Sequence, residues 1–179
     1  MRTDARLLIA LLLAVMTTLA AVKALTPDRS KPANISSSEA LFAASFPDAS
    51  GKMQPLGQWR NRVLVVNFWA TWCPPCREEM PELSGLQEKY QSGGLTVIGL
   101  ATDDVDKMRE YVRKNSLAYL LLAGDFEAAS LAASLGNDKN VLPYTVVIGQ
   151  DGRVVATYFG RLDMRVLEQV LQPLLSISR

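Results

Sequence analysis

The only two cysteines of this 179-residue chain, Cys73 and Cys76, are separated by Pro74 and Pro75. They follow an apolar run, Val63 to Phe68, that reads as a buried strand. They also head a helical pattern in which Met80, Leu83, Leu86 and Tyr90 follow Cys76 at steps of 4, 3, 3 and 4. Two thiols so placed can close a disulfide across one helical turn, with Cys73 at the helix N-terminus, where unpaired amides and the dipole favour a thiolate. That is the arrangement of a dithiol exchange site. A tetrahedral zinc needs about four protein ligands, and a chain with no histidine and no further cysteine could add only carboxylates. Neither a metal nor an organic cofactor is therefore expected. A purely structural bridge closing so small a loop would constrain the unfolded chain very little.

The neighbouring residues refine this chemistry. If Cys73 is the N-cap, its sulfur could accept from the amides two and three positions on, but Pro75 has none. The thiolate is then less favoured than with another residue there, which predicts a Cys73 pKa toward the upper part of the range for such motifs and a reducing couple. Glu79, three residues after Cys76, can return to the same helix face. It reads either as a proton-handling group or as a solvated surface carboxylate, and Glu78 reads as the latter. Arg77 either biases a nearby thiolate or faces solvent. Trp72 and Pro74 flank Cys73 as an apolar docking surface, while Trp69 reads as core. Asp103-Asp104 reads as a helix cap rather than a metal site.

Composition sets the frame for these elements. With 49% hydrophobic and 21% charged residues the chain is that of a globular domain, of a length for one domain plus an appendage. Beyond residue 24 it carries 16 cations against 17 anions, so no nucleic-acid surface is expected. The lack of histidine removes Ser-His and Cys-His mechanisms. At the N-terminus, Arg2 and Arg6 precede an uncharged run from Leu7 to Val22 closed by Lys23. Residues 1–24 thus read as a targeting segment, either a cleaved signal peptide or an inner-membrane anchor through residues 7–22. Either reading exports the remainder to an oxidising compartment. Residues 25–38, rich in Pro, Ser, Asn and Lys, read as a flexible tether, and 39–179 as the folded domain.

Along that domain, Leu41 to Phe46 and Met53 to Leu56 read as two short edge strands around a Gly51 turn. Arg62 to Phe68 reads as the central strand. Pro81 should kink the helix after the cysteines. Leu95 to Ala101 reads as a strand, Val105, Met108, Tyr111 and Val112 as a capped helix, Tyr119 to Ala123 as a short strand, and Asp125 to Leu135 as a small helix. Thr145 to Ile148 and Arg153 to Phe159 form a hairpin around Asp151-Gly152. The last helix, from Asp163 to about Ser176, presents Val166, Val170 and Leu174 with Leu167 and Leu171 beside them. This order argues an α/β fold with a central mixed sheet flanked by helices.

The block Val66-Asn67-Phe68-Trp69-Ala70-Thr71-Trp72-Cys73-Pro74-Pro75-Cys76-Arg77-Glu78-Glu79-Met80-Pro81 resembles the active-site block of thioredoxin-fold proteins. More narrowly, it resembles the exported TlpA/ResA-like thiol-disulfide oxidoreductases. The likeness runs from about Leu41 to the C-terminus and includes the helix-strand insert near 104–123 and the late Leu142-Pro143 before a strand. It implies a thioredoxin-like fold with an N-terminal β-hairpin, and a periplasmic or membrane-tethered reductase of client protein disulfides. Its electrons would come from a CcdA or DsbD-type membrane carrier. It further implies that Pro143 is a cis-proline facing the cysteines and that Glu79 handles protons near the buried thiol. Asn67 stands where ordinary thioredoxins have a buried acid. Leu142 and Tyr144, beside the cis-proline, occupy client-binding positions where the family often has smaller or hydroxylated side chains.

In the mechanism so implied, Cys73, the more exposed thiol, attacks a client disulfide and Cys76 resolves the mixed disulfide, while the Leu142 backbone pairs with an extended client segment. Apocytochrome c, a copper-site assembly protein and a general periplasmic client all remain open. An exported oxidase or isomerase, a thiol peroxidase on the same fold, and a binding module with a structural disulfide stand as rivals.

Overall fold

A computed structural model describes residues 38–175; the expected targeting segment 1–24 and nearly all of the tether lie outside the described residues. Among the described residues no helix is long and apolar enough to cross a membrane. The described residues form seven strands and five α-helices in the order α1 (Glu39–Ala43), β1 (Ser45–Pro47), β2 (Met53–Pro55), β3 (Val63–Trp69), α2 (Pro74–Tyr90), β4 (Leu95–Ala101), α3 (Val105–Lys114), β5 (Leu120–Ala123), α4 (Asp125–Ser134), β6 (Tyr144–Ile148), β7 (Val154–Phe159) and α5 (Met164–Leu175). Five strands form one mixed sheet in the order β5-β4-β3-β6-β7. β3 is parallel to β4 and antiparallel to β6, and Asn67 stands opposite Gly99 on one side and Thr145 on the other.

Helices cover both faces of that sheet, which is why every residue of β3 is buried. Alternation along the strand sends Val63, Val65 and Trp69 toward α2, α3 and α5, and Leu64, Val66 and Phe68 toward α1 and α4. Asn67 falls on the first face, among apolar side chains.

The structure departs from the sequence reading at two elements, the first turn α1 and the last helix α5. Leu41 to Ala43 belongs to a single helical turn, not a strand, because Leu41 and Phe42 both bury against the α4 side of the sheet; a short apolar run fits either period. The hairpin itself is present, with Phe46 opposite Gln54. Helix α2 carries Pro81 in its interior, as read from the sequence, and runs on to Tyr90. The carbonyl deprived of its helical donor is that of Arg77, an exposed residue. On α5 the buried pair is Leu167 and Leu171, while Val166 is exposed and Val170 half-buried.

Candidate active site

Strand β3 delivers the chain to the cysteines through a short loop pinned at several points. Asp103, two residues past the end of β4, accepts from the Thr71 amide at 2.5 Å. Thr102 N donates to Trp69 O, and Cys73 N to Ala70 O. Asp104, the next residue, caps α3 by accepting from the Lys107 amide. Both aspartates are thus occupied in shaping backbone.

Cys73 is the N-cap of α2, with Pro74 and Pro75 in the first two helical positions, where the lack of an amide costs nothing to the helix. Cys73 and Cys76 are joined in a disulfide with their Cα atoms 5.3 Å apart. Cys73 Sγ accepts from the Cys76 amide at 3.3 Å, and no such bond comes from position 75, which is proline. Cys73 is only 3% exposed and Cys76 is wholly buried, so the pair is far less solvent-facing than a surface dithiol. Exposed Trp72 and Pro74 form the rim above it.

One helical turn beyond Cys76, the Glu79 side chain points inward and is fully buried, which excludes the surface reading. Each of its oxygens has a donor. Asn67 Nδ2 reaches Oε1 at 2.7 Å and the Leu162 amide reaches Oε2 at 2.9 Å. Asn67 Nδ2 also donates to Thr145 Oγ1 at 2.9 Å. Burial raises the Glu79 pKa above the usual carboxylate range, opposed by the Leu162 and Asn67 hydrogen bonds and by the charge of Arg161. Arg161 is held over the same helix by Glu82 Oε1 at 2.6 Å and lies 3.9 Å from Glu78. Glu78 and Arg77 are exposed. Arg77 lines a cleft of about 590 Å³ with Pro74 and Tyr111.

The Leu142-Pro143 peptide is cis. Its loop is fixed by Asn137, whose buried side-chain amide donates to Val141 O and accepts from Val141 N, both at 2.9 Å. The Pro143 carbonyl accepts from Gly160 N at 2.8 Å, so Gly160 and Leu162 tie the proline loop and Glu79 to one short segment. Leu142 has neither its amide nor its carbonyl hydrogen-bonded among the described residues, and its side chain lines a cavity of about 370 Å³ together with Trp72 and Phe126.

Tyr144 requires a correction. Its side chain is wholly buried and its hydroxyl donates to Leu135 O at 2.6 Å, with the ring against Phe68 and Phe159. It is a core residue with no face to offer a client, because β6 turns that position inward. Sequence reasoning missed Thr145, Leu162, Asn137 and Phe126. The first three act through distant partners or backbone atoms. Phe126 carried one signal, a large apolar side chain in the first turn of a short helix.

Residues 32–171 match the Redoxin family model. Over 126 residues, covering 70% of each protein, the chain is 30% identical to the thiol-disulfide oxidoreductase ResA of Bacillus cereus. Among solved structures it is similar to a secreted thiol-disulfide isomerase from Corynebacterium glutamicum, with 28% identity, a TM-score of 0.67, and coverage of 75% of this chain and 84% of that one. The fold is also that of a thiol:disulfide interchange protein of the thioredoxin family from Chlorobium tepidum, with 24% identity, a TM-score of 0.65, and coverage of 74% and 92%. With a cysteine pair at the head of α2 and a cis-proline before β6 in place, the chain belongs to the Redoxin family and is a thiol-disulfide oxidoreductase of thioredoxin fold.

Proposed function

We propose that the protein is an exported reductase that donates electrons to client protein disulfides through Cys73 and Cys76. The observation that carries this reading is the cap of α2, where the Cys73 sulfur is given one amide, that of Cys76, and Pro75 withholds another. A thiolate with fewer donors is a less stable reduced form and hence a better electron donor.

In the reduced protein the Cys73 thiolate attacks one sulfur of the client disulfide, forming a mixed disulfide and releasing the other client sulfur as thiolate. Cys76 gives its proton to Glu79 and attacks Cys73 Sγ. The Cys73–Cys76 bond forms as the mixed disulfide breaks, and the client, its two thiolates protonated by Glu79 and by solvent, leaves as a dithiol. Two electrons and two protons from a CcdA or DsbD-type membrane carrier restore the dithiol. Trp72 and Pro74 form the docking rim, and Leu142 pairs its free backbone groups with an extended client segment. Residues 1–24 serve as signal or inner-membrane anchor and 25–38 as tether, placing the domain in the periplasm. Maturation of cytochrome c or of a metal site is the process such a donor would serve.

The test is the reduction potential of the Cys73–Cys76 couple. A value near or below about −250 mV, on the thioredoxin side of the scale, is expected. A value near about −120 mV identifies an oxidant and overturns the proposal.

A further inference from the structure

Asp103 is only 4% exposed, and a carboxylate so far from water needs a compensating partner. Lys107, the nearest cation along the chain, pairs at 3.1 Å with exposed Asp104 and reaches Asp103 only through its field. What meets the Asp103 carboxylate is the Thr71 amide, 2.5 Å from Oδ2, a short bond of the charge-assisted kind. Asp103 is itself held in place. Its carbonyl accepts from Asp125 N at 3.2 Å, and next to it Thr102 grips the Trp69 carbonyl with its amide at 2.9 Å and its hydroxyl at 3.3 Å. The buried charge is therefore fixed against the loop that carries the chain from β3 to Cys73.

This clamp decides which amides are left for the Cys73 sulfur. Thr71 N is spent on Asp103 and Cys73 N on Ala70 O. Pro74 and Pro75 have no N–H, and the bond to Sγ comes from Cys76 N. The carboxylate also sets a negative charge against the loop, bound two residues before a sulfur that must become negative to react. Asp103 and Cys73 are both buried, so water and salt screen the pair poorly. The other charges around the loop are the Asp104 and Lys107 pair, Arg77 and Glu78 on α2, and Asp125 on α4. All of these are exposed and hence strongly screened. Glu79, the remaining buried acid, lies one turn beyond Cys76.

We infer that Asp103 is a positioning residue of the exchange reaction: by holding the Thr71 amide and a buried negative charge behind Cys73, it disfavours the Cys73 thiolate and makes the dithiol a stronger electron donor. Pro75 and Asp103 then act in the same direction. The first withholds an amide from the sulfur, and the second occupies one and opposes the new charge. The inference rests on the exchange role of the cysteine pair and not on the direction in which the pair works. A difference between parent and variant tests Asp103, whereas the absolute potential of the parent tests the reductase reading.

The experiment titrates the Cys73 thiolate by absorbance in the reduced full chain and equilibrates the same samples with a glutathione buffer. Asp103→Asn removes the charge and keeps an oxygen for the Thr71 amide. It should lower the Cys73 pKa by about one unit and move the equilibrium with glutathione at least about threefold toward the dithiol. The shift should persist at about 1 M salt, where the Debye length is about 3 Å, because neither group faces solvent. Asp104→Asn, which retains the α3 cap, removes an exposed charge one residue away and should move the pKa less than about a third as far. Asp103→Ser, with the same expected direction, serves if the Asn variant does not fold. The parent alone supplies a further measurement: in the reduced protein the Thr71 amide should exchange with deuterium at least about a hundredfold slower than an unprotected amide. An unchanged or raised Cys73 pKa in Asp103→Asn, equal shifts in Asp103→Asn and Asp104→Asn, or a Thr71 amide without protection in the reduced parent would overturn the inference.

Discussion

Asn67 Nδ2 donates to Glu79 Oε1 across 2.7 Å inside the core, so a side-chain amide on strand β3 serves a buried acid on the neighbouring helix. Measurable consequences follow from that pairing and from the packing around it.

Glu79 makes stability fall as pH rises. Its pKa is raised in the folded state, chiefly by burial, so between the unfolded carboxylate value of about 4.3 and the raised value the folded protein binds the extra proton. The stability this proton brings is complete below the unfolded value and is lost as pH climbs through the folded one. Glu79→Gln removes the titration. Unfolding free energies from denaturant titrations at acidic and at mildly alkaline pH should differ less in the variant than in the parent. Equal differences would show that the buried carboxyl is not the source.

Asn67→Asp sets a second carboxylate against the first and withdraws the amide that serves both Glu79 and Thr145. Two such anions cannot both ionise without large cost. The variant should lose about 3 kcal/mol above neutral pH and recover most of it in acid, where the pair shares a proton. Thermal melts across pH show this directly; a loss independent of pH would contradict it.

Pro75→Ala restores an amide in the second helical position, where it can serve the Cys73 sulfur alongside that of Cys76. The Cys73 pKa should fall and the couple become less reducing by on the order of 30 mV. Thiolate absorbance titration and equilibration with a glutathione buffer read the two quantities. An unchanged or raised Cys73 pKa would remove the proline argument.

Tyr144→Phe and Gly99→Ala test the core beside the site. The first strands the Leu135 carbonyl and should cost about 1 kcal/mol. It should change client turnover less than about twofold, because the ring never reaches the surface. The second drives a methyl group into Leu121 Cδ2 and against the Tyr119 ring and Trp69 Nε1, and should cost about 2 kcal/mol. Urea unfolding gives both values. A Tyr144→Phe enzyme with intact stability and poor client turnover would return that residue to the docking surface.

Much of this site was legible in the sequence because its defining signals are local. The Cys73–Cys76 spacing, the apolar run before it and the apolar spacing after it lie within one strand and one helix, and those elements appear as expected. The Asp151-Gly152 hairpin was legible for the same reason. Glu79 was ambiguous because its donors, the amide of Leu162 and the side chain of Asn67, come from elsewhere in the fold. Tyr144 was misread because residues flanking a proline loop look alike in sequence whether they face in or out; β6 register decides it. The short turn α1 was misread because two or three apolar residues carry too little periodicity to separate helix from strand.

The segment Gly160 to Leu162 gives Pro143 and Glu79 a common mount. Gly160 N holds the proline carbonyl, and two residues later Leu162 N holds the carboxyl, with Arg161 between them braced on Glu82. The cis-proline carbonyl and the buried carboxyl therefore share one three-residue backbone support, and a substitution that displaces that segment should disturb both anchor points together.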